Sequence, residues 1–169
     1  HIPLVISIII AALITAFFGF LIGFPTLKLD GDYLAIVTLG FGEIIRVVLV
    51  NLKGITGGPN GKQFITALAF NSTLAYVVII GVLVVIIVLL QNFIRSTYGR
   101  AIIAVRDDEI AANSSGIPVF KYKMIGFVIA SFVAGIGGGL YSSFIGFVKP
   151  EQASFNNSIN YLIYVVLGG

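Results

Sequence analysis

The chain has 169 residues, of which 58% are hydrophobic and only 10% charged, with a mean hydropathy of +1.08 and a formal net charge of +3. Soluble domains carry about 25% charged residues, so this composition argues against a water-solvated globule and makes lipid the expected solvent. There is no cysteine and the one histidine is His1, which excludes disulfides, thiolate metal sites and histidine metal clusters.

Residues 2–27 carry no charge. A first membrane segment is expected over 2–24, ended by Pro25, a length that suits one crossing. The chain opens on His1 without a basic n-region, so this stretch does not read as a signal peptide. Thr15, Gly19 and Gly23 fall four apart and form a stripe where another helix can approach closely. Lys28, Asp30, Gly31 and Asp32 then make a short polar turn.

A second segment is expected over 33–52. It contains Glu43 and Arg46, three apart and able to pair on one helical face. Isolated charges at membrane depth cost a few kcal/mol. Two readings fit: an interior pair lining a path together with Tyr33 and Thr38, or a structural pair near the outer interface with Arg46 snorkelling. Residues 54–61 hold four glycines and a proline and cannot continue a regular helix. Thr56, Gly57, Gly58, Pro59, Asn60 and Gly61 either offer backbone groups to a substrate, as broken helices in transporters do, or form an external turn. A phosphate loop is excluded, because Lys62 is followed by Gln63 rather than Ser or Thr.

Asn71, Ser72 and Thr73 offer an N-cap for a third segment over 74–93. Val, Ile and Leu surround it on all sides, as expected for a lipid-facing helix. A polar segment follows at 95–123. It holds Arg95, Arg100, Arg106, Lys121 and Lys123, half of the ten basic residues, together with Asp107, Asp108 and Glu109. The positive-inside rule places it in the cytoplasm. One helix is expected over 100–115, stopped by Gly116 and Pro118. Its mixed charges suit docking to a soluble partner; a helix lying on headgroups favours basic residues without an acidic cluster.

The fourth segment, 124–148, repeats Gly126, Ala130, Ala134, Gly138, Ser142 and Gly146 every four residues, a pattern for tight helix packing. A fifth begins near 158. With the polar segment inside, residues 28–32 are also inner, while 56–61 and 149–157 are outer. Residues 22–24 and 33–40 echo residues 145–147 and 161–168, the two octets sharing five residues, as inverted repeats of transporters do. The fold class expected is all-α, a polytopic transmembrane bundle. The chain reads as a piece cut at both ends, with 1–169 a partial transmembrane domain and 95–123 its cytoplasmic loop. No catalytic constellation is present, and the polar segment is too mixed in charge for nucleic acid.

Residues 109–116, Glu-Ile-Ala-Ala-Asn-Ser-Ser-Gly, resemble the coupling-loop motif of bacterial ABC importers, with Ile110 inserted after the glutamate. Residues 31–46, 56–61, 99–101 with 106–112, and Gly146-Phe147 with Pro150-Glu151 and 165–169 resemble the LivM-type permeases of branched-chain amino acid ABC transporters. The resemblance covers about residues 20–169. It implies a multi-pass permease of a bacterial or archaeal plasma membrane, not an enzyme, importing branched-chain or similar hydrophobic amino acids. It implies as partners a second permease subunit, two ATPase subunits and an extracytoplasmic substrate-binding protein. No cofactor is expected on this chain, since the partner ATPases use the ATP. Arg100, Arg106, Asp107, Asp108, Glu109, Ala111, Ala112 and Gly116 would belong to the helix that docks in the ATPase. The competing class is an ion-coupled secondary transporter or channel, which would draw on Glu43 and Arg46 but has no need of a docking helix.

Overall fold

A computed structural model describes residues 4–29, 32–63, 68 and 71–168, with all their side chains except those of Asp32 and Ala35. Asp30 and Gly31 of the expected polar turn, and Gly169, lie outside the described residues. Among the described residues, three helices are long and apolar enough to cross a membrane: α1 (Leu4–Thr26), α4 (Ser72–Arg95) and α7 (Val119–Ile145). Between α1 and α4 come α2 (Asp32–Asn51) and the single turn α3 (Lys53–Thr56). The polar segment forms α5 (Thr97–Asp107) and α6 (Glu109–Ser114), and α8 (Phe155–Gly168) closes the chain. At 1.5 Å per residue, α1, α4 and α7 are each about 35–40 Å long, enough for a hydrocarbon core of about 30 Å. Most of their large apolar side chains face outward, the arrangement lipid rewards and water does not.

α1 continues to Thr26, past its expected end. Pro25 removes one backbone donor, but the Thr26 hydroxyl donates to Ile22 O at 2.9 Å and Leu27 N–H to Gly23 O at 2.9 Å, so the last turn holds. Asn71 caps α4 as its position suggests, its side chain accepting from Leu74 N–H at 3.2 Å.

The most extensive helix contact joins α1 to α7. Rising along α1, Ile8, Ala12, Gly19 and Gly23 meet Gly139, Gly135, Ser131 and Phe127 in falling order, so the pair is antiparallel. A Cβ on Gly19 would stand 2.3 Å from Ser131 Oγ, and one on Gly135 would stand 2.7 Å from Ala12 Cα. With lipid tails as apolar as any side chain, close backbone approach and dispersion are what favour association. The stripe expected on α1 therefore meets a helix.

On α7 the residues that meet α1 include Phe120, Met124, Phe127, Ser131, Gly135 and Gly139. The last four lie one position, about 100° around the helix, from the row singled out in the sequence. That row is placed elsewhere. Gly126 faces Ile102 of α5. Ala130 and Ala134 line a groove with Leu90, Phe93 and Ile94 of α4. Gly138 and Ser142 line a cleft described below, and Gly146 ends α7 in a left-handed conformation at φ 69°.

The expected single helix over 100–115 is two helices. Asp108 is extended (φ −156°, ψ 108°), and its carboxylate accepts from Ile110 and Ala111 N–H at 2.9 Å each. An aspartate that can satisfy two N-terminal amides starts a new helix rather than continuing the old one. α6 ends as expected at Gly116 (φ 81°), with Ile117 N–H bonded to Ala112 O and Gly116 N–H to Asn113 O, the double closure of a Schellman motif.

Two strands of two residues each, β1 (Lys62–Gln63) and β2 (Phe147–Val148), pair antiparallel with Lys62 opposite Val148 and Gln63 opposite Phe147. This ladder fixes the loop after α3 beside the end of α7. At the other end, the Lys28 ammonium lies 4.4 Å from the Phe24 ring and 5.8 Å from the Phe120 ring. The Lys28 turn and the polar segment thus share one end of the bundle, and residues 57–61 and 147–153 share the other.

Candidate functional site

At the ladder end lies a cleft of about 840 Å³, within the span of small-molecule sites, about 300–1,000 Å³. Its floor is the small-residue row of α7: Ala134, Gly137, Gly138 and Ser142, with Tyr141 beside them. α2 and α3 supply Leu49, Ile55 and Thr56; the 3₁₀ turn Pro150–Ala153 and α8 supply Gln152, Asn157 and Tyr161; Lys62 and Lys149 complete the lining. Small residues open the space, and aliphatic and aromatic groups supply most of its wall, with the polar ends of Thr56, Lys62, Ser142, Lys149, Gln152 and Asn157 spread around it.

Thr56, beside Ile55, brings the glycine-rich stretch to this cleft. Its hydroxyl lies 2.6 Å from Leu49 O and 2.9 Å from Leu52 O, to which it can donate, and accepts from Gly58 N–H at 3.2 Å. This pins the chain where α2 gives way to α3. Gly57, Gly58, Pro59, Asn60 and Gly61 fold on themselves instead. Gly57 (φ 77°) ends α3, Gly58–Asn60 form a 3₁₀ turn, and Gly61 (φ 71°) leads into β1. A Cβ on Gly57 would stand 2.0 Å from Gly61 O, and one on Gly61 2.4 Å from Val148 O. Glycine is what lets this turn close against the ladder.

Tyr33, Thr38, Glu43 and Arg46 lie outside the cleft lining. Tyr33 is exposed near the start of α2, and the Thr38 hydroxyl donates to Leu34 O at 2.8 Å. Arg46 donates to Glu43 through Nε at 2.7 Å and again through Nη2, both side chains being partly exposed. α2 packs here against Pro150–Ala153, with Glu151 in electrostatic reach of Arg46.

At the polar end, α5 is capped by Ser96, which accepts from Gly99 N–H at 3.2 Å. Arg100 donates to Arg95 O at 3.2 Å. Arg106 donates to the Asp107 carboxylate at 3.0 and 2.8 Å in the open. In α6, Ala112 is 4% exposed, whereas Ile110 is 81% exposed. Glu109 accepts from Lys123 of α7 at 2.6 Å. Of the eight residues expected here, Asp108, Ala112 and Gly116 shape the segment. Arg100, Arg106, Asp107 and Ala111 lie on its surface, with Arg100 turned back to Arg95 O. Glu109 is tied to α7. The sequence reading passed over three features: Ile110 as an outward apolar knob, Lys123 as a partner, and the cleft residues Lys62, Tyr141, Asn157 and Tyr161. Ile110 carried a signal, being an aliphatic residue set between acids and alanines; the cleft residues carried none, because distant loops bring them together.

The whole chain, residues 1–169, matches the family described as branched-chain amino acid transport system / permease component. It is 40% identical over 189 aligned residues to the high-affinity branched-chain amino acid transport system permease protein LivM of Escherichia coli, covering 95% of this chain and 44% of that protein. It is 26% identical to the probable branched-chain amino acid transport permease protein LivM of Methanocaldococcus jannaschii, covering 96% and 50%. It is 28% identical to the autoinducer 2 import system permease protein LsrC of Klebsiella pneumoniae, covering 95% and 45%. The chain spans about half the length of the curated relatives it matches. No solved structure matches it.

Proposed function

The chain belongs to the family of branched-chain amino acid transport permease components, and from that premise we propose that it forms part of the membrane passage of an ATP-driven importer of branched-chain or similarly apolar amino acids. The family is a transport component and not an enzyme. The observation that carries the reading is that one helix, α7, joins two unlike ends. Its start holds the exposed, charged α5–α6 segment, and its last third floors the apolar cleft. The polar end faces the cytoplasm of a bacterial or archaeal plasma membrane, where its basic residues favour it. There an ATPase subunit receives α6 through Ile110 and Ala111, with Arg106 and Asp107 beside them. ATP is bound and used by two such subunits and not by this chain. A second permease subunit completes the passage, and an extracytoplasmic binding protein delivers the substrate at the cleft end.

The ion-coupled carrier has less support. Its charged residues, Glu43 and Arg46, neutralise each other on one helix face, and the family is a permease component of a transport system. The decisive variant is Ile110→Asp in the complete subunit. A charge in place of a central apolar anchor weakens binding by about 2 kcal/mol or more, so the ATPase is expected to be lost on co-purification and uptake to fall at least tenfold. Unchanged co-purification with unchanged uptake would rule out docking through α6.

A further inference from the structure

We infer that the Glu109–Lys123 ion pair is the strut that turns movement of α6 into movement of α7, and so connects the polar end to the cleft. The inference rests on the docking of α6 proposed above. α6 is a helix of six residues between two breaks. At its start Asp108 is extended, and at its end Gly116 is left-handed. A Cβ on Gly116 would have nothing within 4 Å, so the turn has open space on that side and is held by its own backbone hydrogen bonds to Ala112 and Asn113, which makes it the pivot of this scheme. Gly116 joins the C-terminal end of α6 directly to α7, but the N-terminal end is joined through Asp108 to α5, which itself packs on α7, so without a further tie a pull at that end reaches α7 only by way of α5.

Glu109 supplies the second attachment. It is the first residue of α6, and its carboxylate meets the Lys123 ammonium at 2.6 Å, one turn into α7. The two helices are therefore joined at both ends of α6, covalently through 115–118 and ionically through this pair. The buried Ala112 keeps the short helix seated between the two joints. Two points of attachment convert a swivel into a rigid link. The lysine is 23% exposed and the glutamate 49%, and pairs so open to solvent add little to stability. Position rather than stability is the reason for this one. From Lys123 to Ser142 the rod measures about 28 Å. A tilt imposed at α6 is thus delivered to Gly138, Tyr141 and Ser142 in the cleft, and α1, clasped along α7, travels with it.

Glu109 and Lys123 are positioning residues in this scheme, since neither lines the cleft. The test uses the complete transporter with its ATPases, reconstituted in proteoliposomes. Glu109→Gln and Lys123→Gln are compared with the exchanged pair Glu109→Lys/Lys123→Glu. Each is scored for ATPase co-purification and for leucine taken up per ATP hydrolysed. The neutral variants are expected to keep the ATPase bound and hydrolysing while uptake per ATP falls at least about fivefold, the lower bound of common coupling energies. The exchanged pair is expected to restore most of that ratio. An unchanged ratio in both neutral variants overturns the inference, as does an exchanged pair no better than the single changes. Loss of the ATPase with Glu109→Gln but not with Lys123→Gln also overturns it, by assigning the carboxylate to the ATPase. Failure of the docking reading is seen separately, in an Ile110→Asp subunit that retains its ATPase.

Discussion

Asp108 decides the shape of the polar segment because one carboxylate oxygen satisfies two amides that would otherwise be orphaned at the start of α6. Removing such a cap costs about 1 kcal/mol. Asp108→Ala is therefore expected to fray α6 without disturbing α5, whose own cap is Ser96. Hydrogen exchange at the Ile110 and Ala111 amides should rise several-fold, while that in α5 stays put; equal rises in both helices would refute the separation. Asp108→Asn keeps an acceptor and should largely preserve protection. The sequence reading gave α6 its end but not its start. Gly116 is punctuation in any context, whereas Asp108 stands in a run of three acids in which nothing local says which one turns from surface charge to cap.

Small residues worked differently on the two long helices. On α1 they announce the contact that forms, because Gly19 and Gly23 are where α7 approaches. On α7 nearly every row contains glycine, alanine or serine: Gly135, Gly137, Gly138 and Gly139 are almost consecutive. Periodicity showed that the helix is closely approached but not by whom, since partner and register depend on the shape of the opposing face. The structure separates the rows into one that meets α1 and one that opens grooves. Gly135→Val forces a side chain into Ala12 and Thr15, and overpacking of this kind costs about 1–3 kcal/mol. Unfolding in mixed micelles should occur at lower denaturant with Gly135→Val and be nearly unchanged with Gly137→Ala, whose added carbon meets nothing within 4 Å. Similar losses from both would mean that the α1–α7 interface lies elsewhere.

The arrangement of the bundle supports two further expectations. These 169 residues hold no cysteine, so single substitutions here, read against the unsubstituted subunit, report sidedness. Ile110→Cys and Asn60→Cys are expected to react with a membrane-impermeant maleimide from opposite faces, Asn60→Cys in intact cells and Ile110→Cys after permeabilisation. Labelling of both from one face would contradict the bundle as described. Gly138 has open space before it and borders the cleft, so Gly138→Leu narrows the cleft, the proposed passage, without straining the helix. Uptake of leucine, three carbons larger, should fall at least about tenfold more than that of alanine, the lower end of the discrimination that a single methylene provides in a fitted pocket. Equal losses would place the passage away from this cleft. Three of the five expected membrane segments were legible from composition and run length; the second and fifth form the helices α2 and α8, but among the described residues only α1, α4 and α7 are long and apolar enough to cross, and the polar end was legible from its charges. The cleft was not, because the ladder at Lys62 and Val148 that gathers its walls involves two residues from each strand, too few to leave any alternation in the sequence.

The clasp between α1 and α7 also sets a schedule. Everything from α2 to α6 is synthesised after one partner and before the other. At about 5–20 residues per second, that leaves α1 in the bilayer for roughly five to twenty seconds before α7 reaches its glycine row. During that interval any passing helix with a compatible face is a competitor, above all a second newborn copy of α1. Crowding of ribosomes on one message therefore works against correct assembly, and slower initiation favours it.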